Sequence, residues 1–423
     1  MLRMLPTARL RSFRGAASSL AMVLALSGGA VIGTAVTGAP AFAQEQPKYS
    51  KAFVEAYSPV AEVANAETGD FAAAKSQLET VYAAVENEDD RNAAGNLALI
   101  LGNKLKDPAL QRRGLEMMLQ SGKVAPEQVG QFQFFVGNLA YSAQDWAAAR
   151  TALEAAVAAG YTQDDPEGLI AETYFSGGQA EQGLDYLKGV AEQRMAAGQP
   201  VPEAWLLRGL RTAYESKLAD QATDYSALLV QSSPTQRNWL QSLQVVNAMN
   251  SLEPQVQLDL LRLMLATDSL TERNEFANYI EAADVRVMSN EVLRVLERGV
   301  QAGVFTADDT YYTEVKSLAD ERAPIDRQEA PGLAAEASSA ANGTAAMSAG
   351  DVFLSLADYA QAETMFQLAL EKGGGDRDRA LTRLGIAQAQ QGKNDAAKSS
   401  FEQVSGARAP VAKMWTAYVE TKA

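Results

Sequence analysis

One pattern of small and large residues is written twice between Gly137 and Val190, and it returns from Gly350 to Val404. In the first copy Gly137, Ala140, Trp146, Ala149, Leu153 and Ala156 fall at fixed intervals; in the second, 34 residues on, Ala171, Tyr174, Ala180, Gly183, Leu187 and Val190 keep them. A repeat of that length with that order of residues specifies a helix–turn–helix unit that stacks on its neighbours. A lone unit cannot bury its apolar face, so three or more must stack. The expected architecture is all-α, and its product is a long surface for holding another chain.

The spacing has a physical cause. A small residue on the first helix lets the second helix cross it at the short end of the usual 8–10 Å separation. The C-terminal copies repeat the device with Gly350, Phe353, Tyr359, Ala362, Phe366 and Ala369, then Gly385, Gln388, Asn394, Ala397, Phe401 and Val404. Near the start, Gly69-Asp70-Phe71 forms an inter-helix turn before Ala74, Leu78 and Val81. Trp205 and Trp239, 34 residues apart, each open a first helix; Gly209 follows the first by four residues, and Pro234 ends a unit. Leucine at Ala149 or Ala362 should therefore overpack a crossing.

These copies resemble the tetratricopeptide repeat (TPR) family. The resemblance implies a right-handed α-solenoid of TPR-like helix–turn–helix repeats, whose inner groove is lined by the first helix of each unit. Carried onto the clear copies, that face comprises Phe134, Asn138, Tyr141, Glu172 and Phe175, joined in the C-terminal pair by Asp351, Leu354, Arg379, Thr382 and Gln390. Phe132, Phe134 and Phe135 cannot all reach one neighbour by helix periodicity, so one is expected to project into the groove. Family members that clamp a terminal carboxylate use Lys and Asn on adjacent first helices. Asn138 matches one such position, but Phe134 replaces the Lys and Glu172 would repel the ligand, so a clamp is not expected.

Other segments conform less well. Arg91–Lys123 reads as helical with Pro108 opening its second helix, and Val256–Ala266, Glu272–Ala283 and Asn290–Gln301 read as degenerate units. From Ala323 to Gly343, Pro324, Pro331 and small polar residues read as a linker or a long surface loop, where Ala337→Leu should do almost nothing. This gives a superhelix over 44–322, a linker or loop over 323–343 and a repeat pair over 344–423. Gln44–Tyr49 reads as a disordered tail.

Residues 1–43 are set apart. Arg3, Arg9, Arg11 and Arg14 precede an apolar stretch that ends in Ala41-Phe42-Ala43 before Gln44, the form of a cleavable export signal. The competing reading is an uncleaved anchor, since the run approaches the ~20 residues a span needs, but Gly28, Gly29 and Gly33 weaken it. Nothing later is apolar enough to span, which places the mature chain in the periplasm.

The chain has neither Cys nor His. That excludes disulfides, ordinary zinc and copper sites, and His-dependent nucleophilic catalysis; no cofactor is expected. Without the leader, 33 basic residues face 52 acidic ones, near −19. Such a charge repels nucleic acid, and it either keeps the chain soluble or attracts basic partners. Glu86, Glu88, Asp89, Asp90, Asp164, Asp165, Asp308 and Asp309 lie at inter-helix turns and read as helix caps. Gly373-Gly374-Gly375 follows a helix and lacks the ending of a phosphate loop, so it reads as a helix C-terminal turn.

The expectation is a non-catalytic periplasmic scaffold or adaptor that binds an envelope protein or peptide segment. Its rivals are a holdase-like chaperone using the same groove and a carboxylate-based cell-wall lytic enzyme. The last would need a compact non-repeat domain of ~100–150 residues, for which the chain leaves no room.

Overall fold

Helix starts are fixed by side-chain acceptors three residues ahead of an orphan N–H. Asp70, Asn87, Asp107, Asp145, Asp165, Asp309, Asp358 and Asp376 each accept a hydrogen bond from the backbone N–H at i+3. The computed structural model describes residues 46–422, so the expected leader and its cleavage point lie outside the described residues. The described chain contains helices and no strand. Gly373 and Gly374 have φ of 65° and 81° and end a helix at Lys372, as the triple glycine implied.

The described chain divides into two compact units, 46–190 and 191–422. The first contains α1 (Lys51–Asn65), α2 (Phe71–Ser76), α3 (Leu78–Ala83), α4 (Glu88–Leu105), α5 (Pro108–Gln120), α6 (Pro126–Ser142), α7 (Trp146–Ala158), α8 (Pro166–Ser176) and the start of α9 (Ala180–Ala196). The second continues through α10 (Glu203–Glu215), α11 (Ala219–Ser232), α12 (Gln236–Met249), α13 (Pro254–Ala266), α14 (Arg273–Ala283) and α15 (Ser289–Gln301). It ends with α16 (Thr310–Ser339), α17 (Thr344–Ser355), α18 (Tyr359–Lys372), α19 (Arg377–Gln390), α20 (Asn394–Phe401) and α21 (Ala409–Glu420). Within each unit, helices pack on their neighbours in sequence, which makes the fold an all-α solenoid of helix pairs.

The crossing inside a pair follows one rule. A glycine on the first helix lies under the large residue 16 positions later. A Cβ at Gly137 would come within 2.6 Å of Leu153, one at Gly350 within 2.5 Å of Phe366, and one at Gly385 within 2.5 Å of Phe401. Gly209 stands in the same relation to Tyr225. Ala149 and Ala362, at the expected crossings, are fully buried. The α4/α5 pair, poor in family residues, uses a tighter device. There Gly95 and Gly114 meet backbone to backbone, and a Cβ at Gly114 would sit 2.6 Å from the Gly95 carbonyl and 2.7 Å from the Leu99 amide.

Three expectations are corrected. The segment 323–343 is neither linker nor loop as far as Ser339, because it belongs to the 30-residue α16. Pro324 and Pro331 both face solvent, while Ala319, Ala323, Ala330 and Ala337 on the opposite side join the core. Lys372 Nζ donates to the carbonyls of Ala337, Ser338 and Ala340 at 2.8, 2.8 and 2.7 Å, so one amine satisfies the end of α16. The division of the chain falls at 190/191, not around 323–343. The stretch before α1 is tied from Lys48, whose N–H donates to Asp89 at 2.9 Å, so a disordered tail through Tyr49 is not observed.

The second unit closes on itself. α21 packs against α11, α12 and α13. Gln231 donates to Glu420 at 2.5 Å, Lys413 pairs with Asp224, and the Tyr418 ring lies 6.1 Å from that of Trp239. The Trp415 indole is buried and its N–H donates to the Asp259 carbonyl at 2.9 Å.

Candidate functional site

The ten residues expected to line a groove separate into two groups with different fates. In the first unit, Phe134, Asn138 and Glu172 are buried, while Tyr141 and Phe175 are half-buried. Phe132, Phe134 and Phe135 are all buried, so none of the three projects. Three neighbours share the work: the Phe134 ring meets Tyr161 at 5.2 Å and Phe135 at 6.0 Å, in a cluster with Leu99, Leu115 and Leu153. Tyr141 stacks edge-on with Trp146 at 5.1 Å, and its hydroxyl lies 3.2 Å from that of Ser176 on α8.

In the second unit, Asp351, Leu354 and Thr382 are buried, Arg379 is half-buried and only Gln390 is exposed. Part of the reason is the closure: α19, expected to face an open groove, faces α13 and α21 of its own chain, and α17 faces α15. What gathers there is a buried charge cluster. Asp259 accepts from Arg262 at 2.7 Å, Arg383 at 3.2 Å and Arg408 at 2.6 Å. Arg262 forks onto Glu291 with two bonds of 2.8 Å, and Glu291 also accepts from the Tyr279 hydroxyl at 2.8 Å. Arg383 reaches Asp351, which Arg379 approaches at 2.5 Å from the rim.

Burial would raise the Asp259 pKa, but the charges of Arg383, Arg262 and Arg408 overcome it and hold the carboxyl below its ordinary value. Glu291 follows the same balance: burial pushes up, and Arg262 and Arg294 with the attached hydrogen bonds pull further down. Tyr279 is raised by burial and by the Glu291 charge. Every carboxylate in the cluster has an arginine on it, which makes a fastener joining α13, α15, α17, α19 and the 3-10 turn at 406–408 that leads into α21.

The sequence reading missed a different group in the first unit. Asn96 follows Gly95 on α4 and Asn138 follows Gly137 on α6, so each of these first helices carries an amide beside its close crossing. Asn96 Oδ1 and Asn138 Nδ2 are buried without a hydrogen-bond partner, as is Nδ2 of Asn103, two turns beyond Asn96 on the same face. Native interiors rarely leave such groups unmade. The signal available in the sequence was the Gly-Asn pair at both crossings.

The fold defines an all-α helical-repeat protein, in which no described helix is long and apolar enough to cross a membrane. No family model and no curated protein matches the chain. Among solved structures it is similar to one described as "Structure of Naa15/Naa10 bound to HypK-THB", at 14% identity and a TM-score of 0.34 over 82% of this chain. The chain spans 61% of the length of that one.

Proposed function

We propose that this protein is an exported, non-catalytic scaffold of the cell envelope that holds an extended segment of another protein along α4, α6 and α8. The observation that carries the reading is that Asn96 and Asn138, on successive first helices, each have a buried amide atom that the chain leaves unpartnered. An amide offers a donor and an acceptor to a backbone, whatever its side chains, so a row of them suits an extended peptide. An orphaned polar atom costs ~1–3 kcal/mol in the free protein, which binding would recover. The second unit lends no comparable face, since Asp351, Leu354 and Thr382 of its expected groove are buried. Its role in this reading is to be rigid.

The test is affinity capture from the envelope fraction with the mature chain and with Asn96→Ala/Asn138→Ala. One stoichiometric partner retained by the natural chain and lost by the double variant is expected, with the variant's thermal midpoint unchanged or raised. A partner held equally by both would refute the assignment. A mixture of unfolded clients would favour a chaperone instead.

A further inference from the structure

The outward face of α16 is unlike the rest of the described surface. Among the described residues six large apolar side chains are exposed, and two of them, Leu318 and Ile325, lie seven residues apart on this helix. That spacing is two turns, so they form one stripe on the side away from the buried alanines. Gly332, seven residues beyond Ile325, extends the stripe, and Pro324 and Pro331 lie farther round the helix, all solvent-facing. Each proline also withdraws the N–H that the carbonyl four residues earlier would accept, leaving Asp320 and Arg327 short of a donor on that side.

The charges on this face are mostly acidic. Helical spacing places Glu314, Glu321, Glu329 and Glu336 around the stripe. Lys316 and Arg327 lie round the helix, and Lys316 is paired with Asp320 at 2.5 Å. Arg322 flanks the stripe but is held by Asp326 at 2.8 Å and Glu329 at 3.1 Å. Glu314 and Glu321, beside Leu318 and Ile325, have no ion-pair partner among the described residues.

From this we infer that the outward face of α16 docks a basic amphipathic helix of a partner protein. Apolar side chains cover Leu318 and Ile325, while lysine or arginine meets the glutamates. The charge pattern selects this occupant. A second copy would set glutamates against glutamates across a two-fold axis, and an anionic lipid surface would be repelled. The inference is independent of the amide face on α4 and α6.

The experiment is fluorescence anisotropy on the full mature chain. The probe is a labelled peptide of about 18 residues, long enough to hold a helix, with leucines at i, i+3, i+4 and i+7 and lysines elsewhere. Saturable binding is expected. Leu318→Ser/Ile325→Ser and, separately, Glu314→Lys/Glu321→Lys should each weaken it by about tenfold or more, with unchanged circular dichroism. Glu62→Lys/Glu67→Lys, an equal charge change elsewhere, should stay within about twofold. Absence of saturation, or equal loss in that control, would overturn the docking site. So would an unchanged affinity in the serine pair, or a dimer in sedimentation that the serine pair dissociates.

Discussion

Adding one methyl group at two glycines should have opposite effects on the stability of the first unit. At Gly189, exposed within α9, an added Cβ meets nothing within 4 Å. Gly189→Ala should therefore show only the helix preference of alanine, a gain of about 0.5–1 kcal/mol. At Gly114 on α5 the same methyl would lie 2.6 Å from the Gly95 carbonyl and 2.7 Å from the Leu99 amide. Those are backbone atoms of α4, which cannot rotate aside as a side chain can, so the two helices must part along their crossing. Overpacking of this kind costs about 1–3 kcal/mol, and backbone contact argues for the upper end, about 3. With about 1 kcal/mol returned by propensity, the net loss is about 2 kcal/mol, or a midpoint lower by about 4–8 °C for a unit of this size. Thermal and urea unfolding followed at 222 nm would measure both variants. Gly95→Ala added to Gly114→Ala should cost less than the sum, because the helices have already separated. A Gly114→Ala protein as stable as Gly189→Ala would refute the close crossing.

Further outcomes follow from the second unit and the leader. Asp259→Asn leaves three arginines facing a neutral amide, and unfolding of the second unit should become easier by about 3–5 kcal/mol by denaturant titration. Because Asp259 and Glu291 have lowered folded pKa values, their contribution is present above the ordinary carboxylate range and is lost as pH falls through the depressed values. An acid titration of tryptophan fluorescence that showed Trp415 released already near about pH 5 would contradict this. Ala337→Leu, now seen on the buried side of α16, should destabilise by about 1–3 kcal/mol, as Ala149→Leu and Ala362→Leu should; an unchanged midpoint for all three would dispose of the packing described. N-terminal sequencing of the exported chain should begin at Gln44, and residues upstream of Ala43 in the mature protein would count against cleavage there.

Much of the fold was legible because its rule is local. The glycine and the large residue 16 positions later lie within one helix pair, so Gly137, Leu153, Gly350 and Phe366 all fell inside the repeat that marks a crossing, although the contact of each glycine with the large residue was not read from it. Helix limits in the degenerate region also came close: Val256–Ala266 is observed as Pro254–Ala266, and Asn290–Gln301 as Ser289–Gln301. α16 was misread because proline within a helix is costly on average, and no local pattern reveals that both prolines face solvent. The expected groove residues of the C-terminal pair were misplaced for a different reason. Their helices pack on α13, α15 and α21, which lie outside the pair, and Arg383 meets Asp259 across 124 positions of sequence. One cue was present: Asp259 and Arg262 interrupt an apolar run from Leu258 to Leu265, and charges there must find partners when buried.

The closure of the second unit also bears on when its parts can form. Contacts in the first unit join helices that follow one another within a few tens of residues, so each pair can settle soon after its second helix is made. In the second unit, Gln231 and Asp224 await Glu420 and Lys413, each 189 residues later. Loop-closure entropy must be met before those contacts return anything. Until the last helix arrives, the Asp259 carbonyl lacks the Trp415 N–H, and Trp239 lacks the Tyr418 ring. The C-terminus is thus the step that commits 191–422 to its final form, and a chain stopped before Ala409 should leave that unit loose while 46–190 folds normally.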